Sequence, residues 1–598
     1  MRLQNIRLPD PDICTEEELY FHRNGKWIDF NGYFNLFYIE KRKKYTNQET
    51  LILHLNAKNC SAIRLMHDSQ ILQEIKLTSS TSATFNFPYK NTEKGVFWFS
   101  IKTNEKNILP EITGYYEGSC LEIKEVRIAT IICAFKRELY VLQNLKRVIR
   151  FLEKPENASL NLCYWLIDNG KTLSTNKEIC CLVKQYPDNF KIIENRNVGG
   201  VGGFTKGIIK ALTEKTALGL THVQLMDDDA SFDPELFVRA YGFLSMTKNE
   251  YQNITLGGSL LREDFPYIQQ AAGEWFDHFA VQNDFLLADL RKFEICTHKY
   301  MCESIHKNVP YSGWWCCCMS LNIMDANNLP LPLFLHHDDI EFGIRNQKYG
   351  IVFLNGFSVW HKGFELTFPG VNTYYDIRNS LITTALTQSK QPPWGTIKWL
   401  WKRLFALFVE YRYEEMHLVY LAFKDFCKGP DWLYKTDAEV LNNSLRKQTL
   451  LKPLEELKNE MPENDYTQAN LYIHQYKDSY NVENLKSFFE TDWKKTKLIN
   501  KLTLNGWLLP SKSQTTPLSP TESPFNAFRS KQILLFEPLS LKYALKRREY
   551  TELVNIVFMC IKIGFSSHKL VKANQAYKKG AKELTNITMW KQYLNIEN

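Results

Sequence analysis

Three adjacent aspartates, Asp227-Asp228-Asp229, follow an apolar stretch with the composition of a buried strand. Three neighbouring carboxylates repel one another unless a cation neutralises them. Mg²⁺ and Mn²⁺ prefer such hard oxygen ligands, together with phosphate oxygens. Because alternate residues of an extended segment point the same way, Asp227 and Asp229 could share one cation while Asp228 faces elsewhere. The alternative is a solvated acidic turn, which is common on protein surfaces.

Two other segments carry groups that could complete such a centre. His361 ends an apolar run, and its imidazole could join the carboxylates as a ligand or could be a satisfied core residue. Asp338, Asp339 and Glu341 form a second acidic cluster where a helical pattern opens. A carboxylate there could act as a general base, or it could cap the helix.

A glycine-rich segment, residues 195–204, comes before a predicted helix. Its four glycines would let the backbone approach a ligand closely, and the free N–H groups of the helix could face an anion. The segment lacks the Gly-Lys-Ser/Thr ending of a Walker A loop. A purely structural turn is the alternative interpretation.

Aromatic and basic side chains in the same region fit a sugar substrate. Trp314 and Trp315 are adjacent and point to different sides of the chain, so one could belong to the core. The other could offer its face to a sugar ring. Arg378 is a candidate contact for a phosphate or for an acceptor.

The elements that must position these residues alternate between strands and helices. Strands are predicted at 126–134, 161–167, 190–194 and 222–226, and helices at 139–152, 177–185 and 204–212. This order is typical of a doubly wound α/β sheet, which binds ligands beyond the carboxyl ends of its strands. The candidate residues Arg137, Asn169, Asn197 and Asp227 follow those ends.

Three domains are predicted in the chain of 598 residues. Short apolar stretches in 1–122 favour a β-sandwich. The α/β domain occupies 123–390, and 391–598 is mainly helical with a Pro/Ser/Thr-rich loop near 508–526.

Composition excludes several classes of protein. The chain has 74 Lys and Arg against 66 Asp and Glu, and this net charge of +8 does not suggest a dedicated nucleic-acid binder. Fourteen cysteines without a CxxC pair indicate reduced thiols in a cytosolic protein. There is no secretory signal and no apolar run of about 18 residues, so we expect any membrane contact to be peripheral.

Taken in order, these motifs resemble the galactofuranosyltransferases, inverting family 2 glycosyltransferases with a GT-A fold. The resemblance spans roughly residues 30 to 430 and is strongest over 126–380. It rests on Phe135-Lys136-Arg137, Asp168-Asn169-Gly170, the segment 197–204, Asp227-Asp228-Asp229, Trp314-Trp315, His337-Asp338-Asp339-Ile340-Glu341-Phe342-Gly343 and Trp360-His361.

The resemblance implies a role for each matching residue. It implies Asp227, Asp229 and His361 as ligands of Mn²⁺ or Mg²⁺, and Asp339 as the catalytic base. Donor contacts are implied for Arg137, Asn169, Asn197, Gly199, Gly200 and Asp228, and acceptor contacts for Trp314, Trp315, His337, Asp338 and Arg378. The family often has Trp where this chain has His337, so the acceptor wall differs, and the C-terminal part matches more weakly.

The function implied by resemblance is metal-dependent, inverting transfer of galactofuranose from UDP-galactofuranose. The acceptor would be a hydroxyl of a growing, lipid-linked cell-envelope polysaccharide such as O-antigen or capsule. The alternatives are a family 2 enzyme with another donor, such as dTDP-rhamnose, and a non-catalytic glycan-binding protein. We expect a cytoplasmic protein, with its basic C-terminal part at the inner membrane face; a homo-oligomer stays open.

Overall fold

The computed structural model describes residues 1–77, 80–104, 109, 111–157, 160–283, 285–303, 308–388, 392–490 and 498–596. The chain forms two compact units. Unit 1 contains Met1–Pro330, Asp339–His361 and Thr585–Asn598, and unit 2 contains Leu331–Asp338 and Lys362–Leu584. All fourteen cysteines are free of disulfides.

The N-terminal part of unit 1 consists of two antiparallel sheets, with strand orders β1-β10-β5-β8 and β2-β3-β9-β6-β7, and β4 pairs with β9. The alternation of apolar and polar residues explains why these segments form strands with one buried face. In β5, the alternate residues Leu51, Leu53, Leu55 and Ala57 are buried. The elements are β1 Arg2–Asn5, β2 His22–Asn24, β3 Trp27–Asp29, β4 Phe37–Tyr38, α1 Ile39–Tyr45, β5 Leu51–Lys58, β6 Cys60–His67, β7 Gln70–Lys76, β8 Ser80–Phe87, β9 Val96–Thr103 and β10 Ile112–Glu117.

A mixed sheet forms the centre of unit 1, in the order β13-β12-β11-β14-β21-β16-β17-β20. Strands β13, β12, β11 and β14 are parallel, β21 is antiparallel to β14, and β22 pairs in parallel with β16. The strands of the mixed sheet are β11 Ile128–Ala134, β12 Cys163–Asp168, β13 Phe190–Glu194, β14 His222–Asp227, β15 Ser231–Phe232, β16 Thr255–Arg262, β17 Ile268–Ala271, β20 Ala288–Asp289, β21 Cys316–Ser320 and β22 Ile351–His361. Strands β18 Trp275–Asp277 and β19 Ala280–Gln282 form a separate two-stranded sheet.

Helices connect the parallel strands, as the alternating pattern predicts. They are α2 Glu138–Leu152, α3 Lys177–Gln185 and α4 Gly199–Leu218. The helices between β15 and β22 are α5 Glu235–Leu244, α6 Phe293–Cys296, α7 Lys299–Cys302 and α8 Asp338–Arg345. The prediction that the glycine-rich segment precedes its helix is wrong, because Gly199–Gly203 already form the start of α4. A Cβ on Gly203 would lie 2.2 Å from Cys133 Sγ, and one on Gly207 would lie 2.4 Å from Ile131 Cγ2. These glycines therefore allow α4 to pack closely on β11.

We expect Gly203→Ala to destabilise unit 1. The added methyl group gains helix propensity of about 1 kcal/mol but collides with Cys133, and overpacking of this kind costs about 1–3 kcal/mol. Urea unfolding of the single variant and of Gly203→Ala/Cys133→Ala measures the coupling between the two side chains. The double variant should recover part of the loss, because it removes the sulfur atom. A single variant as stable as the wild type would contradict this packing.

Unit 2 is mainly helical but also contains a three-stranded sheet, β23-β24-β25. The loop predicted for 508–526 is therefore wrong over Lys512–Leu518, which pairs in parallel with the next strand. The elements are α9 Asn372–Thr387, α10 Pro393–Val409, α11 Tyr413–Phe426, α12 Asp431–Lys435, α13 Ala438–Arg446, α14 Glu463–Ser479, α15 Val482–Glu490, α16 Leu498–Leu502, β23 Lys512–Leu518, β24 Ser530–Glu537, β25 Lys542–Arg547, α17 Tyr550–Gly564 and α18 Ser567–Leu584.

The division into units differs from the predicted boundaries at 122 and 390. The N-terminal sheets share unit 1 with the mixed sheet, and unit 2 already takes over at Lys362. Helix α9 belongs to unit 2 because it packs on α11 and α18. The last helix, α19 Ile587–Tyr593, returns to unit 1, where Trp590 Nε1 donates to the Pro330 carbonyl at 2.7 Å.

Among the described residues, no single helix has the length and apolar character needed to cross a membrane. The pair α17 and α18, bent by 60° at its break, meets these criteria jointly on length and composition.

Candidate active site

The pairing of β15 with β22, just after the end of β14, places Asp229 next to His361. Strand β14 ends at Asp227, and β15 then pairs Ser231 with Trp360, the residue before the end of β22. This pairing places Asp229 Oδ2 3.5 Å from His361 Nε2. Two candidate ligands that are 132 positions apart in the sequence therefore lie side by side at the carboxyl end of β14.

Arg137 adds a positive charge to the same group. It follows β11, whose neighbour in the sheet is β14, and it precedes the first residue of α2. Its guanidinium contacts the Asp229 carboxylate and lies 3.8 Å from Asp228 Oδ1. Arg137 is 44% exposed, so the ion pair faces solvent. A cationic side chain here suits the predicted contact with an anionic donor.

Asp228 has a different environment, as predicted from the alternation of side chains. Its Oδ2 accepts a hydrogen bond of 3.1 Å from the Phe135 amide, which ties the end of β14 to the end of β11. Burial raises the pKa of Asp228 to about 6, although nearby Arg137 acts in the opposite direction. In this structure the Asp228 carboxylate joins two strand ends, and its predicted donor contact stays a prediction.

The side chains of Asp227, Asp229 and His361 are of the types that bind a hard divalent cation. Burial raises the pKa of Asp227, while the charges of His361 and Arg137 oppose that rise, so both groups lie within electrostatic range of its carboxyl. Two carboxylates and an imidazole are ligands that Mn²⁺ and Mg²⁺ sites use. In the described part of the chain, no three His, Cys, Asp or Glu side chains lie close enough together to hold a metal ion. The types of side chain therefore suit a divalent cation, but their positions do not form a complete metal site, and the metal site stays a prediction.

The predicted donor residues Asn169, Asn197 and Gly199 form a connected turn between β12, β13 and α4. Asn169 Nδ2 donates to the Gly199 carbonyl at 2.9 Å, and its Oδ1 accepts from Asn195 Nδ2 at 2.9 Å. Asn197 Oδ1 accepts from the Gly199 amide at 3.2 Å. Gly199 has a φ of +84°, which disfavours a residue with a side chain. Gly200 follows it in the first turn of α4, where backbone N–H groups suit an anion.

Asp339 lies at the start of α8, and its Oδ1 accepts a hydrogen bond of 2.7 Å from the Ile340 amide. Its charge acts on Tyr311 and on Cys317, which pairs with Leu225 of β14. The predicted base is thus near the strand that neighbours β14, within unit 1. Tyr311 also donates to Glu274 Oε2 at 3.3 Å, and burial raises the pKa of Glu274 to about 7.

Tyr311 and Glu274 were not among the predicted site residues. Neither stands in a motif with recognisable spacing, and they meet because the chain before β21 returns to β18. Tyr311 is three residues before Trp314, which is the only local signal that could have drawn attention to it.

The two tryptophans have separate environments. Trp314 is 5% exposed and packs edge-on against Phe204 and Phe342, at ring-centroid distances of 5.6 and 5.9 Å. It also lines a cavity of about 500 Å³ together with Tyr311. Trp315 is partly buried, and its Nε1 donates to the Gly258 carbonyl at 3.0 Å. Trp314 therefore takes the core position that one of the pair was expected to fill, and acceptor contacts by either residue stay predictions.

Two of the other predicted acceptor residues belong to the interior of unit 2. His337 is buried, its Nε2 lies 2.9 Å from Ser380 Oγ, and burial lowers its pKa to about 4. Arg378 is buried, and its Nη2 donates to the Leu333 carbonyl at 2.7 Å. These bonds give both side chains a structural role, and their contact with an acceptor stays a prediction. Asp338 is the first residue of α8.

The part of the chain that contains this site matches a known protein family. The family model described as "Glycosyltransferase like family 2" matches residues 126–372, which include all the strands and helices from β11 to β22. Residues 126–372 are a family 2 glycosyltransferase domain. The resemblance predicted from the motifs is thereby confirmed at the level of the family.

Two curated relatives match a part of this chain. Galactofuranosyltransferase GlfT2 of Mycolicibacterium smegmatis is 28% identical over 259 residues, which is 41% of this chain and 39% of the relative. Galactofuranosyltransferase GlfT2 of Mycobacterium tuberculosis is 24% identical over 261 residues, with the same two shares. The chain thus spans about two fifths of the length of these relatives.

Solved structures of S. aureus TarS 1–349, one of them in complex with UDP, also match. Each has a TM-score of 0.27, covers 43% of this chain and 65% of the TarS chain, and is 11% or 12% identical.

Proposed function

We propose that this protein transfers galactofuranose from UDP-galactofuranose to a hydroxyl group of a growing cell-envelope glycan, with inversion at the anomeric carbon. The observation that carries the proposal is the meeting of Asp229, His361 and Arg137 at the carboxyl end of β14, inside a family 2 glycosyltransferase domain. The donor sugar is inferred from the relatives, which are named galactofuranosyltransferases.

In this proposal Asp227, Asp229 and His361 hold Mn²⁺ or Mg²⁺. When bound, the cation would neutralise charge on the diphosphate leaving group. Arg137 contacts the diphosphate of the nucleotide sugar, and the backbone amides at the start of α4 donate hydrogen bonds to it. Asn169 and Asn197 keep the turn before α4 in place, through their bonds to Gly199.

Asp339 acts as the base in a single displacement. Its carboxylate takes the proton of the acceptor hydroxyl while the acceptor oxygen forms a bond to the anomeric carbon. The bond between that carbon and the diphosphate oxygen breaks, and UDP leaves with the electron pair. Attack from the side opposite the leaving group inverts the configuration, so no covalent sugar–enzyme intermediate is needed.

The finer structural assignments belong to the same proposal. We assign the mixed sheet to the GT-A class, the two N-terminal sheets to a β-sandwich, and unit 2 to an accessory domain. The parallel order β13-β12-β11-β14, with the acidic residues after β14, supports the first assignment. A cytoplasmic location, with peripheral contact at the inner membrane, is consistent with an acceptor carried on a lipid.

A donor panel tests the proposal. Purified protein is incubated with Mn²⁺, a lipid-linked glycan acceptor and one radiolabelled nucleotide sugar at a time. We expect label in the lipid-linked product only with UDP-galactofuranose, and a β-linkage in that product. Transfer from dTDP-rhamnose instead would show that the proposed donor is wrong. Glycan binding without transfer from any donor would refute the catalytic proposal.

A further inference from the structure

The outward face of α17 in unit 2 is apolar. Five apolar side chains, each 49–81% exposed, form it: Val554, Val557, Phe558, Ile561 and Phe565. Their spacing places them in one stripe, within an arc of roughly 100° around the helix. The opposite side of the helix packs inward through Ile556, Met559 and Ile563. A contiguous exposed stripe of this kind marks an interaction site, because its contact with water is unfavourable.

Aromatic side chains with polar tips lie next to this stripe. Tyr550, at the start of α17, is 64% exposed, and Trp394 of α10 is 50% exposed. Trp394 packs edge-on against Trp401 with the ring centroids 5.1 Å apart. Trp401 Nε1 donates to the Cys560 carbonyl at 3.0 Å, which fixes α10 beside α17. Tyr and Trp are the residues enriched where a protein meets the membrane–water interface.

Positive charge predominates around the stripe, although the exposed Glu549 and Glu583 lie at the outer ends of α17 and α18. Residues 553–582, which cover most of α17 and α18, contain six lysines and neither Asp nor Glu. All six are exposed: Lys562, Lys569, Lys572, Lys578, Lys579 and Lys582. Helix α10 adds the exposed Lys398 and Lys402 and also contains no acidic residue. Lysines next to an apolar stripe favour an anionic lipid surface by about 1 kcal/mol each.

We propose that this face of unit 2, formed by the α17 stripe, Trp394, Tyr550 and the exposed lysines of α10, α17 and α18, docks on a bilayer surface that contains anionic lipids. We call it the lipid face. A second copy of the chain is the less suitable occupant, because self-pairing of one patch would bring the lysines of both copies together. The helix lies on the bilayer instead of crossing it, since Ile556, Met559 and Ile563 pack against unit 2.

Vesicle sedimentation tests the lipid face with the full-length protein. The vesicles are phosphatidylcholine alone, or phosphatidylcholine with about one third phosphatidylglycerol. We expect binding to the anionic vesicles that weakens as salt rises, because screening reduces the attraction to lysine. Phe558→Ser/Phe565→Ser and Lys569→Gln/Lys572→Gln/Lys578→Gln should each raise the apparent lipid dissociation constant at least tenfold.

Matched controls use exposed residues outside α10, α17 and α18. Leu121→Ser/Val440→Ser and Lys154→Gln/Lys184→Gln/Lys477→Gln should bind vesicles as the wild type does, because these exposed side chains do not belong to the helices that form the lipid face. Wild-type protein that stays in the supernatant with anionic vesicles at low salt would overturn the proposal. So would self-association, measured by sedimentation velocity, that is lost in Phe558→Ser/Phe565→Ser while vesicle binding is kept. The assay contains no sugar donor, so its result is independent of the proposed transfer chemistry.

Discussion

Asp339→Asn is expected to lower the rate of sugar transfer by about 10²–10⁴-fold, the usual contribution of a positioned general base. The amide cannot take the proton of the acceptor hydroxyl. It still offers an oxygen to the Ile340 amide, which the wild-type Asp339 Oδ1 binds at 2.7 Å, so the start of α8 should keep its structure. Initial rates with saturating UDP-galactofuranose and acceptor measure the effect.

A measurement of UDP binding distinguishes the loss of the base from a loss of activity through misfolding. Calorimetry should give Asp339→Asn the UDP affinity of the wild type, because the proposed base faces the acceptor. The exposed Asp188 offers a matched control, and Asp188→Asn should transfer sugar at the wild-type rate. If Asp339→Asn keeps more than about a tenth of the wild-type rate, Asp339 is not the general base.

Asp229→Ala should abolish the dependence of UDP binding on Mn²⁺. Asp229 lies between Arg137 and His361, so its removal takes away an oxygen ligand and leaves Arg137 without that partner. In the wild type we expect Mn²⁺ to tighten UDP binding at least tenfold, and in the variant this gain should vanish. The measurement is a calorimetric titration of UDP with Mn²⁺ and with EDTA, and transfer should stop in EDTA.

His361→Ala should show the same loss, because its imidazole is the neighbour of Asp229 at 3.5 Å. His278 provides the control, since its side chain is 73% exposed and lies beside Asp277 on a separate hairpin. His278→Ala should keep the Mn²⁺ effect. UDP affinity that is equal in Mn²⁺ and EDTA for the wild-type protein would refute the metal-binding role.

Local patterns carried the prediction of the central sheet. Strands β11, β12 and β14 are buried runs, and β13 is a shorter, partly buried apolar run, so composition located all four to within two residues of each end. The pairing of Asp229 with His361 could not be derived in this way from the residues, because it depends on the register between β15 and β22. Only the resemblance to a family connected those two positions before the structure did.

Tertiary packing explains the errors. Glycine normally weakens a helix, so Gly199–Gly203 suggested a turn; the close approach of Gly203 to Cys133 favours a small residue in the helix there. Pro517 and its Ser and Thr neighbours suggested a loop, yet β24 pairs with this segment. The start of unit 2 at Lys362 follows from the packing of α9 on α11, which leaves no mark on composition.

Crystals of the protein grown with UDP and Mn²⁺ would test the proposed metal site at Asp227, Asp229 and His361 through the anomalous scattering of manganese. We expect one anomalous peak at the carboxyl end of β14, about 2.1 Å from an Asp229 oxygen and from His361 Nε2. A second bond to Asp227 and contact with the diphosphate of UDP are expected at the same peak. A well-ordered UDP without manganese at these residues, or manganese bound elsewhere in the chain, would show that these residues do not form the metal site.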